Sequence, residues 1–200
     1  MKKTFILIIL LLTIFCKKEK KVEISETDHT IPTNLEIFKD DSLETKIDLG
    51  EIVSIESNGK IIKGTLSENK SIFKDEKGNI IFEIKYTEDY FRLLNEKGTL
   101  LWKVKIDPDE FLFLIANNDD MKNSMEVRKI NSNLVRLEKN NSEIGIVRFD
   151  SESDKIILEN SNNLNYIKSK HFLISYGIYF LPEITELQKL VILSEAVHIQ

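Results

Sequence analysis

The sequence predicts a mainly β protein with a helical C-terminus, and three observations carry that prediction. From Leu35 to about Gly177, short runs of Ile, Val, Leu, Phe and Tyr are separated by clusters of Asn, Asp, Gly, Ser and Lys, the pattern of many short antiparallel strands. One hairpin phrase occurs twice, twenty residues apart, as internal repeats of a small β unit do. The last thirty residues are the most apolar stretch behind the leader and end in a helical pattern. With 200 residues, 42% of them hydrophobic and 30% charged, the composition is globular and one ordinary domain is expected.

Taken in chain order, the first element is a leader. Met1-Lys2-Lys3 is a short basic start, and Thr4 to Phe15 is an apolar run of twelve residues that stops at Cys16. This is the layout of a secretory signal. As a helix, the run would span about 18 Å against a hydrocarbon core of roughly 30 Å, too short for a permanent span. The segment Leu12-Thr13-Ile14-Phe15-Cys16 resembles the lipobox of bacterial lipoproteins in a relaxed form. Phe15 stands where Gly, Ala or Ser is usual, and Thr13 where Leu is expected. The resemblance implies that residues 1–15 are removed as a signal peptide and that Cys16 receives a diacylglycerol with palmitate-like chains. The mature protein would then be a lipid-anchored envelope protein, its contact with the membrane made through lipid on Cys16. Lys17, not Asp, follows the cysteine, which under the rule known for some bacteria favours the outer membrane over the inner. The alternative is an ordinary secretory signal or an uncleaved anchor.

The tether comes next. Residues 16–34 are polar, of mixed sign and interrupted by Pro32, a flexible spacer ahead of a single β-rich domain over residues 35–200. The lysines between Lys17 and Lys21 read as solubilising; contact with anionic headgroups, at about 1 kcal/mol per charge, is the rival reading. From Val22 onward, 22 basic residues face 32 acidic ones, a net of −10. So acidic a body suits no phosphate backbone, and no nucleic-acid partner is expected. The only cysteine is Cys16 and the histidines are His29, His171 and His198, so internal disulfides and cysteine-based zinc sites are excluded and no metal or cofactor is expected.

The strand runs are Glu51–Glu56, Lys60–Leu66, Asn79–Tyr86, Tyr90–Leu94, Thr99–Ile106, Glu110–Ala116, Met125–Ile130, Leu134–Glu138, Glu143–Phe149, Lys155–Leu158, Leu164–Ile167 and Phe172–Tyr176. Their even, short spacing favours a meander, sandwich or barrel over a parallel sheet. The repeat aligns Ile72–Lys85 with Arg92–Lys105, each copy a strand, a turn and a strand. Asp75 and Asn95 can accept from the turn backbone, and Gly78 and Gly98 can take the positive φ of a tight hairpin with a bulge. Phe82, Ile84, Trp102 and Val104 then fall on alternate positions facing one core. Calcium binding at these acidic turns is set aside, because the ligand spacing of an EF-hand loop is missing. Leu181-Pro182-Glu183 opens a helix over 182–197, with Pro early and acids in the first turn. From Leu190 its apolar side is too broad for a surface stripe, so this helix wants to be enclosed.

The phrases F-K-D-E-K-G-N-I-I-F-E-I-K, L-N-E-K-G-T-L-L-W-K-V-K and S-E-I-G-I-V-R-F, followed by a hydrophobic helix, resemble the tubby-like fold of the LURP-one-related and phospholipid scramblase families over roughly Glu51 to Val197. That resemblance implies a closed antiparallel barrel of about twelve short strands around the C-terminal helix. The physical reading agrees, because closure removes sheet edges and encloses the apolar helix. A sandwich or open meander with a packed helix is the alternative. Some members of the family associate with phosphoinositides or membranes; this sequence carries no concentrated basic patch.

No Walker loop, GxSxG elbow, HExxH or dinucleotide fingerprint occurs, and no enzymatic activity is expected. Asp107-Pro108-Asp109-Glu110 reads as a strand-connecting turn and not an acid/base pair. Asn117–Asn123 reads as a polar connection, with partner contact the rival. The functional expectation is a monomeric, lipid-anchored envelope protein with a non-catalytic binding or display domain, its protein or lipid partner unassigned. A lipid- or hydrophobe-binding barrel is the alternative, with Trp102, Phe111 and Phe113 facing the ligand. An envelope hydrolase is the third reading and needs His171 beside Ser and Asp side chains.

Overall fold

A computed structural model describes residues 32–67, 69–107, 109–159 and 165–199. The leader, Cys16, His29 and nearly all of the tether lie outside the described residues. The strands are β1 (Asn34–Lys39), β2 (Ser42–Leu49), β3 (Ile52–Ser57), β4 (Lys60–Leu66), β5 (Lys70–Asp75), β6 (Ile80–Tyr86), β7 (Tyr90–Asn95), β8 (Leu100–Asp107), β9 (Leu112–Asn117), β10 (Met125–Asn131), β11 (Leu134–Lys139), β12 (Ser142–Asp150), β13 (Lys155–Leu158) and β14 (Tyr166–Lys168). Each pairs antiparallel with its sequence neighbours, and β1 pairs with β14 to close a barrel. The expected closed barrel is therefore present, with fourteen strands against about twelve expected.

Alternation builds the wall. In β3, for example, Val53 and Ile55 are fully buried while Ser54 and Glu56 face out, the period of two that a one-sided strand requires. The repeated hairpins share one geometry. Asp75 Oδ1 accepts from the backbone N–H of Lys77 and of Asn79, and Asn95 Oδ1 does the same for Lys97 and Thr99. Gly78 and Gly98 have φ of 84° and 75°, and both hairpins carry a register shift, after Phe73 and after Leu93. The Asn79 side-chain amide, donating to Asp75 Oδ2 at 2.9 Å, and then these backbone donors hold the Asp75 carboxyl below its ordinary value. At the seam, β1 and β14 share three residue pairs, Glu36 with Lys168, Ile37 with Ile167 and Phe38 with Tyr166. Phe38 and Tyr166 stack with ring centroids 5.0 Å apart, and Lys155 lies 4.1 Å from the Tyr166 centroid, adding aromatic and cation–π contact to a short ladder.

A barrel of about eight strands is filled by its own side chains; one of fourteen needs a filler. The chain after β14 supplies it. Ile174–Phe180 forms a 3-10 segment in which Ser175 to Tyr179 are buried, and α1 (Glu186–Ile199) follows. In α1 every residue from Leu190 to Val197 is buried. Eight consecutive residues cover more than two turns, so no face of the helix meets solvent. The even number of alternating strands puts the start of β1 and the end of β14 at one rim, here called the lower rim. The 3-10 segment rises from there, where the Tyr176 hydroxyl lies 3.2 Å from Ser169 Oγ, to the upper rim, where Glu183 pairs with Lys139 at the end of β11. Helix α1 then descends.

Two expectations are corrected. Phe172–Tyr176 is not a strand: its apolar residues belong to the interior 3-10 segment, where enclosure and not alternation makes every position apolar. The helix starts at Glu186 instead of residue 182, because Pro182 and Glu183 form the turn that reverses the chain; Lys189 N–H donates to Thr185 O in the first helical hydrogen bond.

Candidate functional site

The candidate site is the polar lining between plug and wall. Near the lower rim, α1 places Glu195 against the inner face of β5 and β6. It is 1% exposed. Tyr86, inward-facing on β6, donates its hydroxyl to Glu195 Oε2, and Ser71 Oγ lies 2.6 Å from that hydroxyl. Glu195 Oε1 is buried with no hydrogen-bond partner among the described residues. Burial raises the Glu195 carboxyl to about 7, outweighing the opposing hydrogen bonds from Tyr86 and Ser71, and burial together with Glu195 pushes the Tyr86 phenol up. A carboxyl poised there exchanges its proton near neutrality. The sequence signal for it was the polar pair Ser194-Glu195 inside the apolar stretch from Leu190 to Val197.

Higher in the barrel, the Trp102 indole Nε1–H donates to Gln188 Oε1 at 2.8 Å. Lys189, beside Glu186 at 4.0 Å, faces the Tyr179 ring at 5.7 Å, and burial holds its ammonium below the ordinary lysine value. The hydrogen bonds of Trp102 to Gln188 and of Tyr86 to Glu195 fix the rotation and depth of α1 within the wall. They tie two sequence-distant elements through hydrogen bonds that a purely apolar core would lack.

Trp102 and Phe113 are buried at 5% and 2% exposure and belong to the core shared by wall and plug. Phe111 is elsewhere: it is 42% exposed, with φ of 49°, and Lys129 Nζ lies 5.0 Å from its ring at the lower rim. The three residues therefore do not converge on one space, and the interior beside Trp102 and Phe113 is occupied by the plug. His171 meets Ser169 through its backbone, its N–H donating to Ser169 Oγ and its carbonyl accepting from it. Asp107 acts as a turn acceptor for Glu110 N–H, and Glu110 pairs with Arg128 at 3.4 Å. His198 Nδ1 lies 2.7 Å from Ser194 O within the last helical turn. Among the described residues no group of three His, Cys, Asp or Glu side chains is placed to hold a metal ion.

An open concavity of about 540 Å³ lies at the upper rim, lined by Lys39, Asp40, Glu44, Lys46, Glu56 and Asn58. Its mixed signs favour no single ligand charge. No protein-family model, no curated protein and no solved structure matches the chain.

Proposed function

We propose that the chain is a lipid-anchored protein of the bacterial cell envelope, held by acyl chains on Cys16, and that its plugged barrel is a non-catalytic binding or display domain. The observation that carries this reading is the place of the only cysteine, at the junction of a twelve-residue apolar run with the charged stretch Lys17–Lys21. Two or more acyl chains, at about 0.8 kcal/mol per buried methylene, make such attachment stable.

The barrel supports the reading through the polarity of its wall. Outward positions carry pairs such as Lys46 with Asp48, Glu83 with Lys85, and Arg136 with Glu138, whereas a membrane-spanning barrel turns an apolar band about 25 Å tall toward lipid. Among the described residues no helix is long and apolar enough to cross a membrane. Attachment through Cys16 supplies what this wall does not. The hydrophobe-carrying alternative would require the plug to leave the interior it fills.

The test is metabolic labelling of the full chain in a bacterial host with a tagged fatty acid. The expected result is label on the wild-type protein, with Cys16→Ser losing the label and leaving the membrane fraction. An unlabelled wild-type protein, or a Cys16→Ser variant that stays in the membrane fraction, overturns the assignment in favour of an uncleaved anchor.

A further inference from the structure

Strand register gathers on the outer wall a row of cations that the sequence scatters. Lys70 of β5 stands opposite Lys85 of β6, Lys85 opposite Arg92 of β7, and Arg92 opposite Lys103 of β8. Their chain neighbours Ser71, Ile84, Phe91 and Trp102 are buried, so alternation turns all four cations outward. With neighbouring strands about 4.8 Å apart, the row runs about 14 Å across the wall. Like charges directly opposite each other destabilise a sheet, so the wall gains nothing from this arrangement in itself. Between Lys60 and Lys105, ten basic residues outnumber seven acidic ones, in a chain that is otherwise strongly acidic.

The structure also shows what the row accepts. Asp119, from the loop between β9 and β10, lies with its Oδ1 3.6 Å from Arg92 Nη2 and 3.3 Å from Lys103 Nζ. Half of the row thus holds a carboxylate from a short acidic segment, Asn117-Asn118-Asp119-Asp120. The other half is less fully occupied: Lys70 is exposed, and the Lys85 side chain, 55% exposed, has Glu83 of its own strand at 3.8 Å. Tyr90 braces the occupied half, its ring centroid 4.3 Å from Lys103 Nζ and 5.1 Å from Arg92 Cζ, which holds both cations over a fixed aromatic face.

We propose that this row is the docking site for an extended acidic segment of a partner protein, whose carboxylates take Lys85 and Lys70 and displace Asp119 from Arg92 and Lys103. The complementarity is that of a carboxylate-bearing peptide, because a peptide aspartate already occupies the row. The proposal does not depend on lipid attachment.

The experiment uses the full chain in mild detergent and a fluorescein-labelled peptide of twelve alternating Asp and Glu residues, followed by fluorescence anisotropy at about 50 mM salt, where screening is weak. Saturable binding is expected, about tenfold weaker in Lys70→Glu/Lys85→Glu and unchanged in Lys168→Glu on the opposite wall. Asp119→Asn, which releases Arg92 and Lys103, tightens it about threefold. Lys70→Gln/Lys85→Gln repeats the loss should charge reversal impair folding. Absence of binding at about 1 mM peptide, an equal loss in Lys168→Glu, or a weaker Asp119→Asn complex overturns the proposal. Capture of a sulfated polysaccharide in place of the peptide overturns it as well.

Discussion

Two single residues show how tightly the plug is fitted. Glu195 has its carboxyl raised from an ordinary 4.5 to about 7 by burial. The folded protein therefore binds a proton that the unfolded chain releases between these values, and stability falls as pH rises from about 4.5 to 7, then levels off. The difference amounts to at most about 3 kcal/mol. Thermal melts of the wild type are expected to show a higher Tm at pH 5 than at pH 8; Glu195→Gln, which keeps the shape without the titration, is expected to flatten that dependence and raise Tm at pH 8. A wild-type Tm that increases from pH 5 to pH 8 would count against a neutral buried carboxyl. Gly177 tests the fit by space alone. A Cβ there would lie 2.5 Å from Val127 Cγ1 and 3.0 Å from Val135 Cγ1, so Gly177→Ala is expected to lose about 1–3 kcal/mol in chemical denaturation. Val127→Ala in the same chain is expected to restore part of that loss, whereas additive destabilisation would place the clash elsewhere.

At the scale of elements, α1 is the part the barrel cannot spare. Deleting residues 190–200 removes five buried aliphatic residues and Ala196, worth about 2 kcal/mol for each large side chain, which is on the order of the whole stability of a domain. The truncated chain is expected to be insoluble, and a soluble product with a cooperative melt would show that the wall stands without its filler. Most strands were legible because their apolar residues alternate between turn residues; β4 and β13 begin and end where the pattern puts them. The twenty-residue repeat yielded both hairpins, including their bulges, since the Asp or Asn and the Gly of each turn act locally. β1 and β2 escaped for a local reason too. Asp40 and Asp41, with φ of 50° and 59°, make their turn without the glycine that usually marks one. The plug's 3-10 segment was misread because periodicity disappears when every direction is apolar. The Glu195 cluster was out of reach, since Ser71, Tyr86 and Glu195 meet only after closure, and the cation row likewise exists only in the register.

For the whole molecule, charge is sorted more sharply than the totals suggest. A net of −10 from Val22 onward coexists with a basic row on β5 to β8, so the row runs against the sign of the chain that bears it. Ionic strength is expected to act on the basic wall far more than on stability, because exposed pairs such as Lys46 with Asp48 at 3.3 Å contribute little to folding. The seam has a consequence of another kind, for the order of folding. Ile37 pairs with Ile167, so the first strand waits for the last, and the segments that fill the interior are synthesised later still. Pairings this remote in sequence fold slowly. Until β14 exists the chain is a ribbon of hairpins with two unpaired edges, and until α1 exists its apolar face lacks the helix that covers it, the state most open to aggregation. A polypeptide emerging from a ribosome thus reaches its native state only once α1 has emerged as well, and shielding of that nascent ribbon becomes a requirement of the topology itself.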